Sequence, residues 1–321
     1  MQKFLSSSLF GSHPSNMSKV LIVGSTGWLG GKVMEAFQGT HHQLTAFVRP
    51  QSLENPEKAD AFNKLKERGV QLIPGELNSK EDLVAALQGM DVCICCLGSF
   101  QTTEQFPLIE ALKEVGTIKR FIPCDFGMDY RRDPHDFAMT EDGLKVHQAV
   151  FDANIPYTII DNGAFMEISL GKLCDWTQRN PITLETTTIT RWGEGNVTIL
   201  TNSVNDIARY VVRTIDDPNT INKRIMIDGH SATQNQLIDL WEEVSGTKLQ
   251  RKQVDLDELQ EMIKKADGYP KFGLQLARCG FFRNGFVRSE DYLSSSELYP
   301  DIYNSSTTIK QFLEQRYNSL K

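Results

Sequence analysis

From Lys19 onward, short apolar runs alternate with segments of helical spacing, and this alternation limits the fold more than any other feature of the chain. VLIVG (20–24), QLTAFV (43–48), VQLIPG (70–75), DVCICCLG (91–98), KRFIPCDFG (119–127) and IPYTIIDNG (155–163) each read as a strand. After the first strand, residues 27–38 place Leu29, Val33, Ala36 and Phe37 on related faces of a helix. NSKEDLVAALQG (78–89) opens on Asn and Ser, carries acids in its first turn and closes on Gly, so it reads as a well-capped helix. Further helices are expected over 104–115 and in TEDGLKVHQAVFDANIPYT (140–158), where a helix runs into a buried strand. DVCICCLG is continuously apolar, as strands covered on both faces of a parallel sheet are. Strand and helix in turn, without hairpins, predict an α/β fold with a doubly wound parallel sheet.

The second half is less regular. DIARYVVRTIDDP (206–218) reads as an amphipathic helix stopped by Pro, KRIMIDG (223–229) as a strand, and TQNQLIDLWEEVSG (233–246) and DELQEMIKKADG (257–268) as helices. These segments predict a smaller C-terminal α/β lobe over the strand ends, where open α/β sheets bind their ligands. The division expected is a disordered tail over 1–16, a nucleotide-binding domain over 17–160, and a substrate lobe over 161–321 from which 201–230 return to the first domain. The Ser-rich tail MQKFLSSSLFGSHPSN has too short an apolar core for a signal peptide and no Arg for a transit peptide.

Composition excludes several classes. With 34 basic and 41 acidic side chains the net charge is −7, the opposite of the basic footprint a nucleic-acid binder needs. No apolar run approaches the roughly 18 residues of a membrane span. The six cysteines (Cys93, Cys95, Cys96, Cys124, Cys174 and Cys279) form no CxxC and have no His at ligand spacing, so no metal site is expected. Reduced thiols in a cytoplasmic protein are the expectation.

VLIVGSTGWLGGKV sets Gly24, Gly27 and Gly30 in a G-x-x-G-x-x-G pattern between the first strand and the first helix. The first Gly permits the tight turn, the second lets backbone approach a pyrophosphate, and the third lets helix pack on strand. Ser25, Thr26, Trp28 and Leu29 complete that turn, and the phosphates would lie at the helix N-terminus, where free N–H groups favour anions. After the second strand FVRP presents Arg49 where an acid would hold the ribose hydroxyl of NAD. A fixed cation there suits a 2′-phosphate, so NADPH is the expected cofactor. Lys58 is a second candidate cation.

GSTGWLG, AFVRP, VQLIPGELNSKEDLVAALQGMDVCICCLG and KRFIPCDFGMD resemble the isoflavone-reductase-like group of atypical short-chain dehydrogenases, within the NmrA-like superfamily. The likeness continues through IPYTIIDNGAF, GEGNVTILTNSVNDIARYVVRTIDDPNTINK, QNQLIDLWEEVSG and SSSELYPDIY, and so covers almost everything after Lys19. The resemblance implies a Rossmann domain with a small substrate lobe, NADPH, and an aromatic or phenylpropanoid-like substrate. It also places Phe126 and Gly127 beside the nicotinamide and a lysine in the next helix as proton-transfer group. A small-molecule aromatic partner is thus expected, with a homodimer left open.

The family lysine stands thirteen residues before the Pro of PYT. Counting back from Pro156 puts Gly143 there, with Val146, Ala149, Val150 and Ile155 in register. Lys145 is two residues late, and two helical steps turn a side chain by about 200°, toward the opposite face. The candidates for the acid are therefore Lys145, if the preceding loop shifts the helix, and His147, one turn after Gly143 on its face and titrating near neutrality. Asp125, Asp129 and Tyr130 are further nearby candidates. Three functions stay open: a reductase, a non-redox isomerase, cyclase or lyase on the same scaffold, and an NmrA-type dinucleotide sensor. The Phe-rich segments NGAFM (162–166) and FFRNGF (281–286) are candidate walls of a substrate pocket.

Overall fold

A computed structural model describes residues 17–133, 135 and 137–321; the expected tail over 1–16 lies outside them. The strands are β1 (Lys19–Val23), β2 (Gln43–Val48), β3 (Gln71–Pro74), β4 (Val92–Cys95), β5 (Arg120–Ile122), β6 (Thr158–Asp161) and β7 (Ala164–Phe165). They continue with β8 (Thr188–Trp192), β9 (Thr198–Asn202), β10 (Lys223–Met226), β11 (His230–Thr233), β12 (Gln250–Val254) and β13 (Leu293–Ser294).

The central sheet is parallel in the order β3-β2-β1-β4-β5. This is a doubly wound sheet whose order reverses between β1 and β4, the crevice where such folds bind ligands. β4 is buried along its whole length, as its continuous apolar run requires. A second parallel set, β13-β10-β6, continues this layer. β6 meets β5 through the bridge Phe121–Tyr157, reinforced by Phe121 N–H donating to Pro156 C=O at 2.7 Å. The buried Arg120 guanidinium also crosses this seam. It donates to Thr158 Oγ1 at 3.0 Å, and to the carbonyls of Thr214 at 2.5 Å and Asp217 at 2.8 Å.

Helices cover both faces. Trp28–Ala36 buries Val33 and Met34 against one face, where Val204–Ile215 joins it with Ile207, Tyr210 and Val211. On the other face, Lys80–Leu87 and Gln105–Val115 pack with Leu83, Leu87, Leu108 and Leu112. Ala138–Asp152 adds Val146 and Val150 to that face. Ser79 caps its helix as read, its hydroxyl accepting from Asp82 N–H at 3.2 Å.

The later chain gathers around its own core of Trp176, Trp192, Leu237, Trp241 and Leu259. It holds the pair β8–β12 and the set β11-β9-β7. Phe281 and Phe286 belong to this core, within 5.4 and 5.7 Å of the Trp176 ring. They do not line the cavity over the ends of the central strands, which corrects that part of the FFRNGF expectation; their apolar surface is used for packing. All six cysteines are free.

Candidate active site

A cavity of about 400 Å³ lies over the carboxyl ends of β1, β2, β4 and β5. Its floor is the turn after β1. Gly24 has φ +81°, and a Cβ there would collide with the Cys96 carbonyl. Its own carbonyl accepts from Gly27 N–H at 2.9 Å. A Cβ on Gly30 would strike that carbonyl, so the third glycine sets the approach of helix to strand. Gly27 is the N-cap of Trp28–Ala36, with no side-chain cap and no acid in the first turn. The helix therefore offers its first N–H groups and positive dipole end to an anion. Ser25 is buried against the same turn and its hydroxyl has no protein partner. A buried hydroxyl in this state suits a phosphate oxygen.

Every cofactor candidate read from the sequence lines this one cavity: Gly24, Ser25, Thr26, Gly27, Trp28, Leu29, Arg49, Lys58, Phe126 and Gly127, with Gly30 packed directly beneath. Arg49 stands at the end of β2 as N-cap of Pro50–Leu53, and Lys58 closes the turn Pro56–Lys58. Ser52 and the stretch Cys96–Gly98 also line the cavity and were missed, since nothing in their local pattern distinguishes them from loop. The opposite wall is apolar: Met139, Phe165 and Ile168, with Trp28 and Phe165 in ring contact at 5.1 Å. Phe165 is thus the one aromatic of NGAFM and FFRNGF that walls the cavity.

The lysine question has a geometric answer. Lys145 points to solvent, 62% exposed, and its Nζ is paired with Asp142 Oδ1 at 3.0 Å. It is not part of the cavity wall. Gly143 faces inward, and a Cβ built there would collide with the ring of Tyr130. The phenol thus occupies the space a side chain at position 143 would need, and it lines the cavity beside Phe126 and Gly127.

Behind Tyr130 lies a buried polar cluster. The His147 ring stacks on the Tyr130 ring at 5.7 Å. His147 Nε2 is 2.6 Å from Asp125 Oδ2, and Arg224 Nη2 is 3.2 Å from His147 Nδ1. A guanidinium only donates, so Nδ1 must be the acceptor and the Nε2–H donates to Asp125. Burial, with Arg224 beside it, lowers the His147 pKa to about 3, so the ring is neutral. His147 is 3% exposed and lies outside the cavity wall.

Tyr130 and Asp161 lie near enough to Asp125 for their charges to act on one another. Burial holds both acids well above the ordinary carboxylate range, each raised further by the charge of a neighbouring aspartate. Tyr292 donates its hydroxyl to Asp161. Acids held protonated in this way leave the cluster close to neutral, which is what burial requires. Asp129 behaves otherwise: burial pushes its pKa up, but hydrogen bonds from Arg131 and Ser289 more than offset this, and it stays an ordinary carboxylate.

The NmrA-like family model matches residues 16–313. The chain belongs to that family. A phenylcoumaran benzylic ether reductase of Populus trichocarpa is 32% identical over 93% of this chain and 99% of its own. Among solved structures, AtPrR2 with NADP+ and (+)-pinoresinol superposes with a TM-score of 0.85 at 25% identity, over 94% of this chain and 99% of that one. The leucoanthocyanidin reductase–NADPH binary complex from Vitis vinifera gives 0.81 at 26%, with the same coverages. Among the described residues no helix is long and apolar enough to cross a membrane.

Proposed function

We propose that this protein is an NADPH-dependent reductase of a small aromatic substrate. The observation that carries the reading is one cavity in which an uncapped, acid-free helix N-terminus, an unpartnered buried Ser25 hydroxyl and two cations converge. The glycine turn and Ser25 would hold the pyrophosphate, and Arg49 with Lys58 the 2′-phosphate. Phe126 and Gly127 would border the nicotinamide, and the apolar wall of Met139, Phe165 and Ile168 suits an aromatic substrate. The bound cofactor supplies a hydride. Solved relatives in complex with NADP+ and pinoresinol, or with NADPH, support the same assignment. The test is a fluorescence titration with NADPH and NADH, followed by NADPH oxidation across a panel of aromatic compounds that includes pinoresinol. Tighter binding of NADPH and its oxidation by one of them are expected; no NADPH binding would refute the reading.

A second reading, a non-redox isomerase, cyclase or lyase on the same scaffold, is favoured by one observation: position 143 is Gly and Lys145 lies outside the cavity. It predicts NADPH binding and substrate conversion without NADPH consumption.

A further inference from the structure

We propose that Tyr130 is the proton donor of this site, in the space that a side chain at position 143 would fill. The inference rests on the reductase reading. Three observations carry it. The Tyr130 ring occupies the volume over Gly143 and lines the cavity next to Phe126 and Gly127. The His147 ring stacks on the phenol at 5.7 Å, with the carboxyl of Asp125, 2% exposed, behind it. Asp125 in turn is held by the neutral His147 at 2.6 Å, and His147 by Arg224 at 3.2 Å, so its orientation is fixed from behind.

The chemistry balances. When the carbon of a substrate C=O group accepts hydride, the π electron pair moves onto oxygen. The Tyr130 O–H bond then breaks and its proton goes to that oxygen, giving an alcohol and leaving a phenolate. The phenolate then takes a proton from water entering the cavity, which restores the phenol. His147 and Arg224 act as positioning residues, since neither lines the cavity.

The test uses 4-nitrophenolate, an aromatic oxyanion with a visible absorbance, as a probe of the hydrogen-bond donor, with the protein free and loaded with NADP+. Wild-type protein is expected to bind it, and Tyr130→Phe, which keeps the ring and so the packing over Gly143, to bind it about 10- to 100-fold more weakly, the scale of one hydrogen bond to a charge. Lys145→Ala should bind as the wild type does. Equal affinity in wild type and Tyr130→Phe, or no binding by wild type in either state, overturns the proposal. An NADPH titration of the same proteins separates the two readings. If NADPH fails to bind, the reductase assignment falls, while the probe still reports on Tyr130. If NADPH binds normally and Tyr130→Phe leaves the probe's affinity unchanged, the donor assignment alone falls.

Discussion

Arg49 is the residue on which the choice between two cofactors turns. It was legible because a cation directly after the second strand of such a sheet has few other uses, and the fold delivers it to the cavity. Arg49→Ala should weaken NADPH by about 1.5–3 kcal/mol and leave NADH nearly unchanged, read from paired fluorescence titrations. Lys145 was legible in the same way, from a count of residues along one helix. Tyr130 stood among the nearby candidates for the acid, but nothing set it above the others, because its contact with Gly143 depends on how the loop after β5 folds onto the helix, and no spacing rule encodes that. Nor could the sequence reveal that His147 is buried and bonded at both nitrogens. Its pKa is lowered from 6.5 to about 3, so it contributes stability that is complete above pH 6.5 and lost as the pH falls through that range. Asp125 has the opposite sign: raised from 3.8, it contributes below that value and loses its contribution as the pH rises. The His147 ring resonances should therefore stay unshifted from pH 8 to 5 by NMR. In urea unfolding, the stability of wild type relative to Asp125→Asn should fall by about 1.4 kcal/mol per pH unit above pH 4. A flat difference would mean that Asp125 is ionised in the folded protein.

Among elements, the turn between β1 and its helix separates binding from folding in adjacent glycines. Gly30→Ala forces a methyl into the Gly24 carbonyl and should cost about 2–3 kcal/mol, seen as a lower urea midpoint. Gly27→Ala meets that same carbonyl at 3.1 Å and the Cys96 carbonyl at an ordinary 3.8 Å, and otherwise faces the cavity. It should weaken NADPH at least tenfold while moving Tm by only a few degrees. Equal Tm losses in the two variants would show the turn to be purely architectural. The strands and most first-half helices were readable because buried parallel strands are continuous apolar runs with sharp punctuation. The helices Ala59–Glu67, Gly268–Phe282 and Ile309–Asn318 were not. The first and last are short and strongly polar. The middle one carries Pro270 in its first turn, where a helix tolerates it, but in sequence that Pro reads as a break.

For the molecule as a whole, the joint between β5 and β6 is a narrow connection, one bridge with Arg120 laid across it. Arg120→Met would take one donor from each of the carbonyls of Thr214 and Asp217, and the Thr158 hydroxyl contact with it. It should cost about 3 kcal/mol and speed amide exchange in β6 and β10 before β1 and β4; uniform exchange across the layer would contradict this. The sequence announced both sides of this seam as strands, but not that a single buried arginine ties them, because a long cation carries no mark of the distant carbonyls it will meet. The ring lodged over Gly143 has a consequence of another kind, for the order in which this chain can change. A lysine at 143 cannot arise while Tyr130 stays in place, since the two would claim one volume. Gly143→Lys alone should yield misfolded, insoluble protein, and the same change made after Tyr130→Ala should yield soluble protein. Any descent between a lysine-bearing site and this one has to pass through a chain that holds neither group, so each form is protected from drifting into the other by a step at which the site has no donor.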